Sequence, residues 1–303
     1  MMKKIDIIGA NTAFGQPRLG VDLGPDAVRY AGLVSTLKGL NNEVEDKGNI
    51  SPDLKVDIET HSQEKVENLR NFNQVKEFSY ALAKQVDASL ENGRFPLVIG
   101  GDHSLSIGSI AGVAKHYDNL GVIWYDAHGD LNDGATSPSG NIHGMPLAVS
   151  LGLGHDELVN LYGDGAKIKH ENVVLIGMRD LDDGEKEYIK ENNIKLYTAT
   201  DIRKLGIDTV IQEAIAYLED KTDAIHISLD VDALDPIHTP GTGTPVTGGL
   251  SLVDTQVTME TLNRNGKVVS MDLVEVNPLL DEKNRTAEVA VDIAAFMFGK
   301  KQI

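Results

Sequence analysis

Short apolar runs recur along this chain, and several end abruptly in clusters of Asp, His and Gly. Leu97-Val98-Ile99 leads into Gly100-Gly101-Asp102-His103-Ser104, and Val122-Ile123-Trp124 leads into Tyr125-Asp126-Ala127-His128-Gly129-Asp130. Ile225–Leu229 leads into Asp230-Val231-Asp232. Runs such as Leu97-Val98-Ile99 and Val173-Val174-Leu175-Ile176 are apolar at consecutive positions. A strand built that way is apolar on both faces, the mark of a parallel strand covered by helices on either side.

The runs predict strands at Ile5–Ala10, Pro96–Gly100, Val122–Asp126, Val173–Met178, Ala224–Asp230 and Val268–Val276. Weaker strand signals lie at Glu43–Ile50 and Lys195–Thr198. Helical periodicity falls between them, near 26–39, 66–92, 105–117, 184–192, 207–219, 251–265 and 286–298. Alternating strand and helix predicts a doubly wound parallel sheet. Ligands of such sheets bind outside the carboxyl ends of the strands, where the polar clusters stand. At 303 residues the chain suits one large α/β domain, 1–303.

Composition narrows the chemistry. There is no cysteine, so disulfides, thiolate catalysis and Cys-based zinc sites are excluded. The formal charge is -18, from 46 acidic and 28 basic residues, which disfavours nucleic acid and anionic membrane as partners. No apolar run approaches the roughly 18 residues that span a bilayer, and Asp6 interrupts the apolar N-terminus. The expected address is the cytoplasm.

Asp126, His128 and Asp130 stand at i, i+2 and i+4. On an extended segment they would share one face, as would Asp230 and Asp232. Buried carboxylates and imidazoles gathered in this way are costly unless they coordinate a cation. With His103 the set becomes His103, Asp126, His128, Asp130, Asp230 and Asp232. That exceeds what one ion uses and suits two ions about 3.5–4 Å apart. An oxygen-rich set with two imidazoles favours manganese, with iron, cobalt or nickel as substitutes. Asp235 precedes Pro236 and reads as a turn residue, and Asp272 lies on the face opposite Glu275.

Such a site suits hydrolysis of a guanidinium, whose resonance makes its carbon a poor electrophile. Water between two dications is acidified enough to supply hydroxide near neutral pH. Glu275 is the candidate carboxylate for the cationic substrate, and His143, in the loop Ser137–Gly144, is the candidate proton shuttle for the leaving amine. His61, His116, His155 and His170 lie in polar or helical stretches without ligand partners. His226 reads as a packed core histidine or as a support for the cluster, and His238 belongs to a Pro-Gly turn.

Four motifs together resemble the ureohydrolases: Gly-Gly-Asp-His-Ser at 100–104, Asp-Ala-His-Gly-Asp at 126–130, Ser-Leu-Asp-Val-Asp-Ala-Leu-Asp-Pro at 228–236 and Glu-Val-Asn-Pro at 275–278. Within that family the chain looks like the bacterial arginases. The resemblance implies a three-layer α/β/α fold with an eight-stranded parallel sheet, and two Mn2+ per subunit. It implies that His103, Asp126, Asp130 and Asp230 hold one ion, and that Asp126, His128, Asp230 and Asp232 hold the other. His143 would be the proton shuttle, Asp130 and Glu275 further catalytic groups, and L-arginine the substrate, hydrolysed to L-ornithine and urea. Asn132, Ser137 and Ser139 match positions that bind the α-carboxylate; the family often has threonine where Ser137 stands, and the hydroxyl is kept. Asp182 and Glu185 match positions near the α-ammonium, and Thr244 one that lines the site. Family members also imply a homo-oligomer, a trimer or hexamer. The nearest alternatives are an agmatinase or another guanidino-substrate ureohydrolase; the loop Asn132–His143 favours arginase, because agmatine has no carboxylate to bind.

Overall fold

The computed structural model describes residues 2–51 and 65–302. His61, read above as a bland histidine, lies outside the described residues. Eight parallel strands form the central sheet: β1 (Lys4–Ala10), β2 (Glu43–Asn49), β5 (Phe95–Gly100), β6 (Leu120–Tyr125), β7 (Val173–Met178), β8 (Lys195–Thr198), β9 (Ala224–Asp230) and β10 (Val268–Val274). Their order is β2-β1-β5-β10-β9-β6-β7-β8. A two-stranded hairpin, β3 (Lys65–Val66) and β4 (Leu69–Arg70), stands apart.

The helices are α1 (Gly24–Tyr30), α2 (Leu33–Gly39), α3 (Phe72–Glu91), α4 (Ser106–Ala114), α5 (Pro146–Ser150), α6 (Asp156–Val159), α7 (Asp183–Glu191), α8 (Ala199–Leu205), α9 (Ile207–Glu219), α10 (Leu252–Asn265) and α11 (Arg285–Met297). One apolar cluster joins a sheet face to α1, α2 and α8 to α11 through Leu37, Ile211, Leu262 and Ile293. A second joins the other face to α3, α4 and α5 through Leu82, Ile110 and Leu147. Alternate residues of one strand serve the two layers: Trp124 enters the second cluster and Tyr125 the first. Each fully buried side chain of this size contributes roughly 1.5–3 kcal/mol. The eight-stranded parallel sheet between two helical layers is the fold the sequence implied. Among the described residues no helix is long and apolar enough to cross a membrane.

Several local expectations are corrected. The helix expected over 26–39 is two helices, broken at Gly32, whose φ of 95° ordinary side chains rarely adopt. The helix expected from 66 starts at Phe72; before it the chain turns back at Glu67 and Asn68, both at positive φ (47° and 65°), to make the hairpin. The strand expected to run to Val276 ends at Val274, because Glu275 adopts φ 65°.

The extended face expected for Asp126, His128 and Asp130 does not form either. The strand stops at Tyr125, and Asp126 Oδ1 accepts the backbone N–H of His128 at 2.7 Å. Asp230 does the same with Asp232 N at 2.8 Å. An Asp that bonds the amide two residues on curls the chain into a turn. Asp130 then enters the left-handed region at φ 52°. The carboxylates converge because the backbone coils around them, rather than because it is flat.

Candidate active site

The four adjacent strands β5, β10, β9 and β6 deliver the polar motifs to one place at their carboxyl ends. His103 opens the turn after β5, Asp126 and Asp130 follow β6, Asp230 ends β9, and Glu275 follows β10. His103 Nδ1 lies 3.1 Å from Asp126 Oδ2, 3.1 Å from Asp130 Oδ2 and 3.4 Å from Asp230 Oδ2. His128 Nδ1 lies 3.1 Å from Asp232 Oδ2 and 3.4 Å from Asp126 Oδ1. Asp126 thus turns one oxygen to each histidine. All six residues foreseen as ligands come together, and all but His128 are buried.

The donor atoms form two sets that could each hold an ion: His103, Asp126 and Asp230, and Asp126, His128 and Asp232. His103 Nδ1 and Asp126 Oδ2 are buried and have no hydrogen-bond partner despite their proximity. Buried polar atoms are normally bonded, so this pair fits a cation better than it fits its neighbours. Electrostatics agrees. Burial, then the adjoining carboxylates of Asp232 and Asp126, pushes Asp230 well above the usual carboxylate range. Burial and then Asp126 push Asp232 up to about 6. Burial would lower His103, but Asp126, Asp130 and Asp230 hold it well above its ordinary value. Without a metal the cluster is an excess of negative charge crowded into a dry place.

Glu275 lies beside this cluster. Its Oε1 accepts the backbone N–H of His103 at 2.9 Å, and its Oε2 accepts the side-chain amide of Gln16 at 2.7 Å. His143 Nδ1 is 3.4 Å from Glu275 Oε1. Burial would raise Glu275, but His143 and the His103 amide hold it below its ordinary value, and Glu275 in turn raises His143. Each favours the charged form of the other.

A pocket rises from the cluster. His103, His128, Asp130 and Asp230 line its floor; Asn132, Ser137, Ser139, Asp182, Glu185 and Thr244 line its walls. Every substrate-side residue foreseen from sequence except Glu275 lines it, and Glu275 is one contact away through His143. Asn132 Nδ2 donates to Asp182 Oδ2 at 2.9 Å. Glu185 is buried, and burial pushes it up to about 7. Its two oxygens accept the amides of Leu131 (3.0 Å) and Asp182 (2.8 Å), so it ties the two walls together. Thr244 Oγ1 donates to Asp232 Oδ2 at 3.1 Å and steadies that carboxylate.

Sequence reading missed three supports of the site. Gln16 is one. Asn68 and Arg70 of the hairpin are the second: Asn68 Nδ2 donates to Gly134 O and Ser137 O at 3.0 Å, and Arg70 Nε to Ser139 O at 2.9 Å. Arg179 is the third. Its guanidinium reaches the carbonyls of Gly177, Asp232, Ala233, Leu234 and Val246, with Asp232 O at 2.6 Å. Asn68, a residue type that tolerates the left-handed turn it occupies, was the one local signal available; Gln16 and Arg179 act on distant partners that carry no such mark.

Comparison with known proteins agrees with this geometry. Residues 3–299 match the Arginase family. An arginase of Staphylococcus aureus (strain MSSA476) is 56% identical over 300 residues, covering 98% of each chain. An arginase of Bacillus subtilis (strain 168) is 52% identical over 301 residues, covering 99% of each. The crystal structure of the Bacillus caldovelox arginase superposes with a TM-score of 0.95 at 51% identity, covering 100% of both chains. Sheet order, ligand cluster and near-complete alignment lead to one assignment: the chain belongs to the arginase family.

Proposed function

We propose that this protein is an arginase that hydrolyses L-arginine to L-ornithine and urea with two manganese ions. The observation that carries the reading is the polarity of the pocket. Its floor, lined by His103, His128, Asp130 and Asp230, opens onto the His/Asp cluster beside Glu275, and its walls offer the amide of Asn132 and the hydroxyls of Ser137 and Ser139. A cationic head fits the floor and a carboxylate fits the walls. The similar proteins are named arginases.

His103, Asp126, Asp130 and Asp230 would hold one ion, and Asp126, His128, Asp230 and Asp232 the other. Four carboxylates with two imidazoles suit manganese. When bound, such ions supply a hydroxide nucleophile near neutral pH. The residues of the chain do the rest. Glu275, fixed at both oxygens, holds the guanidinium in place. Glu275 favours the protonated form of His143, which passes that proton from its ring nitrogen to the leaving amine. Asn132, Ser137 and Ser139 bind the α-carboxylate, and Asp182 faces the α-ammonium. Glu185 acts by holding Asp182 and the Asn132 loop in register. The working unit is a cytoplasmic homo-oligomer, a trimer or hexamer, which light scattering of the purified protein checks.

The test is urea release by manganese-incubated protein from L-arginine, agmatine and 4-guanidinobutyrate in parallel. Strong preference for L-arginine supports the reading. Preference for agmatine would overturn the role given to the walls while leaving the floor intact.

A further inference from the structure

His226 and Asp272 are fully buried polar residues that the proposed reaction does not use. They sit on the central strands β9 and β10, on the face covered by α4. Register pairs Ser270 with His226 and Asp272 with Ser228. The two rows make a polar seam through an otherwise apolar layer. His226 Nδ1 contacts Ser270 Oγ at 2.8 Å, and His226 Nε2 is 3.3 Å from Asp272 Oδ2.

From Asp272 a chain of hydroxyls runs to the candidate metal site. Ser106 Oγ donates to Asp272 Oδ2 at 2.8 Å, and Ser109 Oγ also donates to that oxygen. Ser106 Oγ lies 3.1 Å from Ser228 Oγ, and Ser228 Oγ lies 2.7 Å from His103 Nε2. Counting protons settles the direction. A serine hydroxyl has one proton to give. Ser106 commits its proton to Asp272, so it must accept from Ser228. Ser228 commits its proton to Ser106, so it must accept from His103. His103 therefore carries a proton on Nε2, and in the neutral ring Nδ1 keeps its lone pair, aimed at Asp126, Asp130 and Asp230. Trp124 stacks on the ring at 4.3 Å and 6°, which fixes its plane.

We propose that Asp272 is a positioning residue which, through Ser106 and Ser228, sets the tautomer of His103 and so maintains one of the two metal sites. The carboxylate stands three hydrogen bonds from the imidazole, whereas a support for a metal-bound histidine usually touches it directly. The proposal rests on the reading of His103 as a metal ligand.

The experiment is a manganese titration of metal-stripped full-length protein by calorimetry, with circular dichroism of each variant. Asp272→Leu removes the acceptor and keeps the branched shape. Ser106→Ala breaks the chain while keeping a strong helix former at the start of α4. Each is expected to weaken one ion about 10- to 100-fold, to leave the other unchanged, and to keep the native spectrum. His103→Ala is the control and should lose the same ion. If the control loses an ion but Ser106→Ala binds both as the parent does, the proposal is overturned. Equal weakening of both ions in Ser106→Ala would also overturn it, because a merely structural role predicts that result. If His103→Ala itself leaves both ions in place, the ligand reading beneath the proposal fails and takes it down.

Discussion

Gln16 donates its side-chain amide to Glu275 Oε2 at 2.7 Å, across 259 residues of sequence. Both partners are buried, and Gly243 leaves room for them, since a Cβ there would stand 3.0 Å from Gln16 Oε1. A hydrogen bond to a charged acceptor contributes about 1.5–3 kcal/mol. Gln16→Ala should therefore lower kcat/KM for L-arginine by roughly 10- to 100-fold, at about 1.4 kcal/mol per decade. Gln16→Glu should be worse, because it sets a carboxylate against Glu275. Steady-state kinetics on both variants checks this; Gln16→Ala with parental kcat/KM would show that Glu275 is held well enough by the His103 amide alone.

Gln16 also marks the boundary of what a reader of the sequence can find. The parallel sheet was legible because both-face apolar runs are local, and Leu97-Val98-Ile99 and Val173–Ile176 declare themselves. The donor cluster was legible because Asp126 and Asp230 follow such runs directly, with His128, Asp130 and Asp232 two to four residues on. Its geometry was not. Counting by twos assumes an extended backbone, and the carboxylates of Asp126 and Asp230 curl the chain by bonding amides two residues on. Arg179 was invisible for another reason: its partners are backbone carbonyls, which every residue has. The hairpin at 65–70 was hidden inside the helical periodicity that follows it.

Asp126 turns one oxygen toward each histidine. Asp126→Ala should therefore impair both ion sites at once. Metal content and arginine hydrolysis should fall together, each by about a hundredfold or more in affinity or rate. Elemental analysis beside a urea assay measures both. A variant that retains two ions and full activity would sink the shared-ligand reading.

Arg179 holds three segments, the end of β7, residues 232–234 and Val246, with one planar fork. Lysine keeps the charge and loses the fork. Arg179→Lys should lower stability by about 1–3 kcal/mol, the scale for buried acceptors left unmet. Because Asp232 O is among the acceptors, the loss should be larger for metal-loaded than for stripped protein. Thermal melts of both forms check this, and equal shifts would mean that Arg179 does not organise the ion site.

Asn132 donates to Asp182 at the wall of the pocket. Asn132→Asp removes that donor and places a carboxylate beside Asp182. In the proposed pose it also faces the α-carboxylate of arginine. Arginine turnover should fall about tenfold more than agmatine turnover, a difference of about 1.4 kcal/mol. Equal effects on both substrates would show that this loop does not read the carboxylate.

Removing the metal should invert the dependence of stability on pH. Burial and neighbouring carboxylates push Asp230 well up and Asp232 up to about 6, against an ordinary 3.8. Groups raised in this way bind protons more tightly in the native state than in the unfolded chain. Stability then falls as pH rises from about 4 through 6. His103 and His128 act in the same sense at higher pH. Carboxylates raise both above 6.5, so their stabilisation is complete below that value and declines as pH climbs through the folded values. Asp126 is lowered and matters only in strong acid. Chelator-treated protein should thus show a Tm that falls between about pH 5 and pH 8. Manganese-loaded protein should show the opposite slope, because ions bind only deprotonated ligands. Fluorimetric melts of the two forms at three pH values decide it. A stripped protein whose Tm climbs over that range would mean that the carboxylate cluster is not the strained element of the fold.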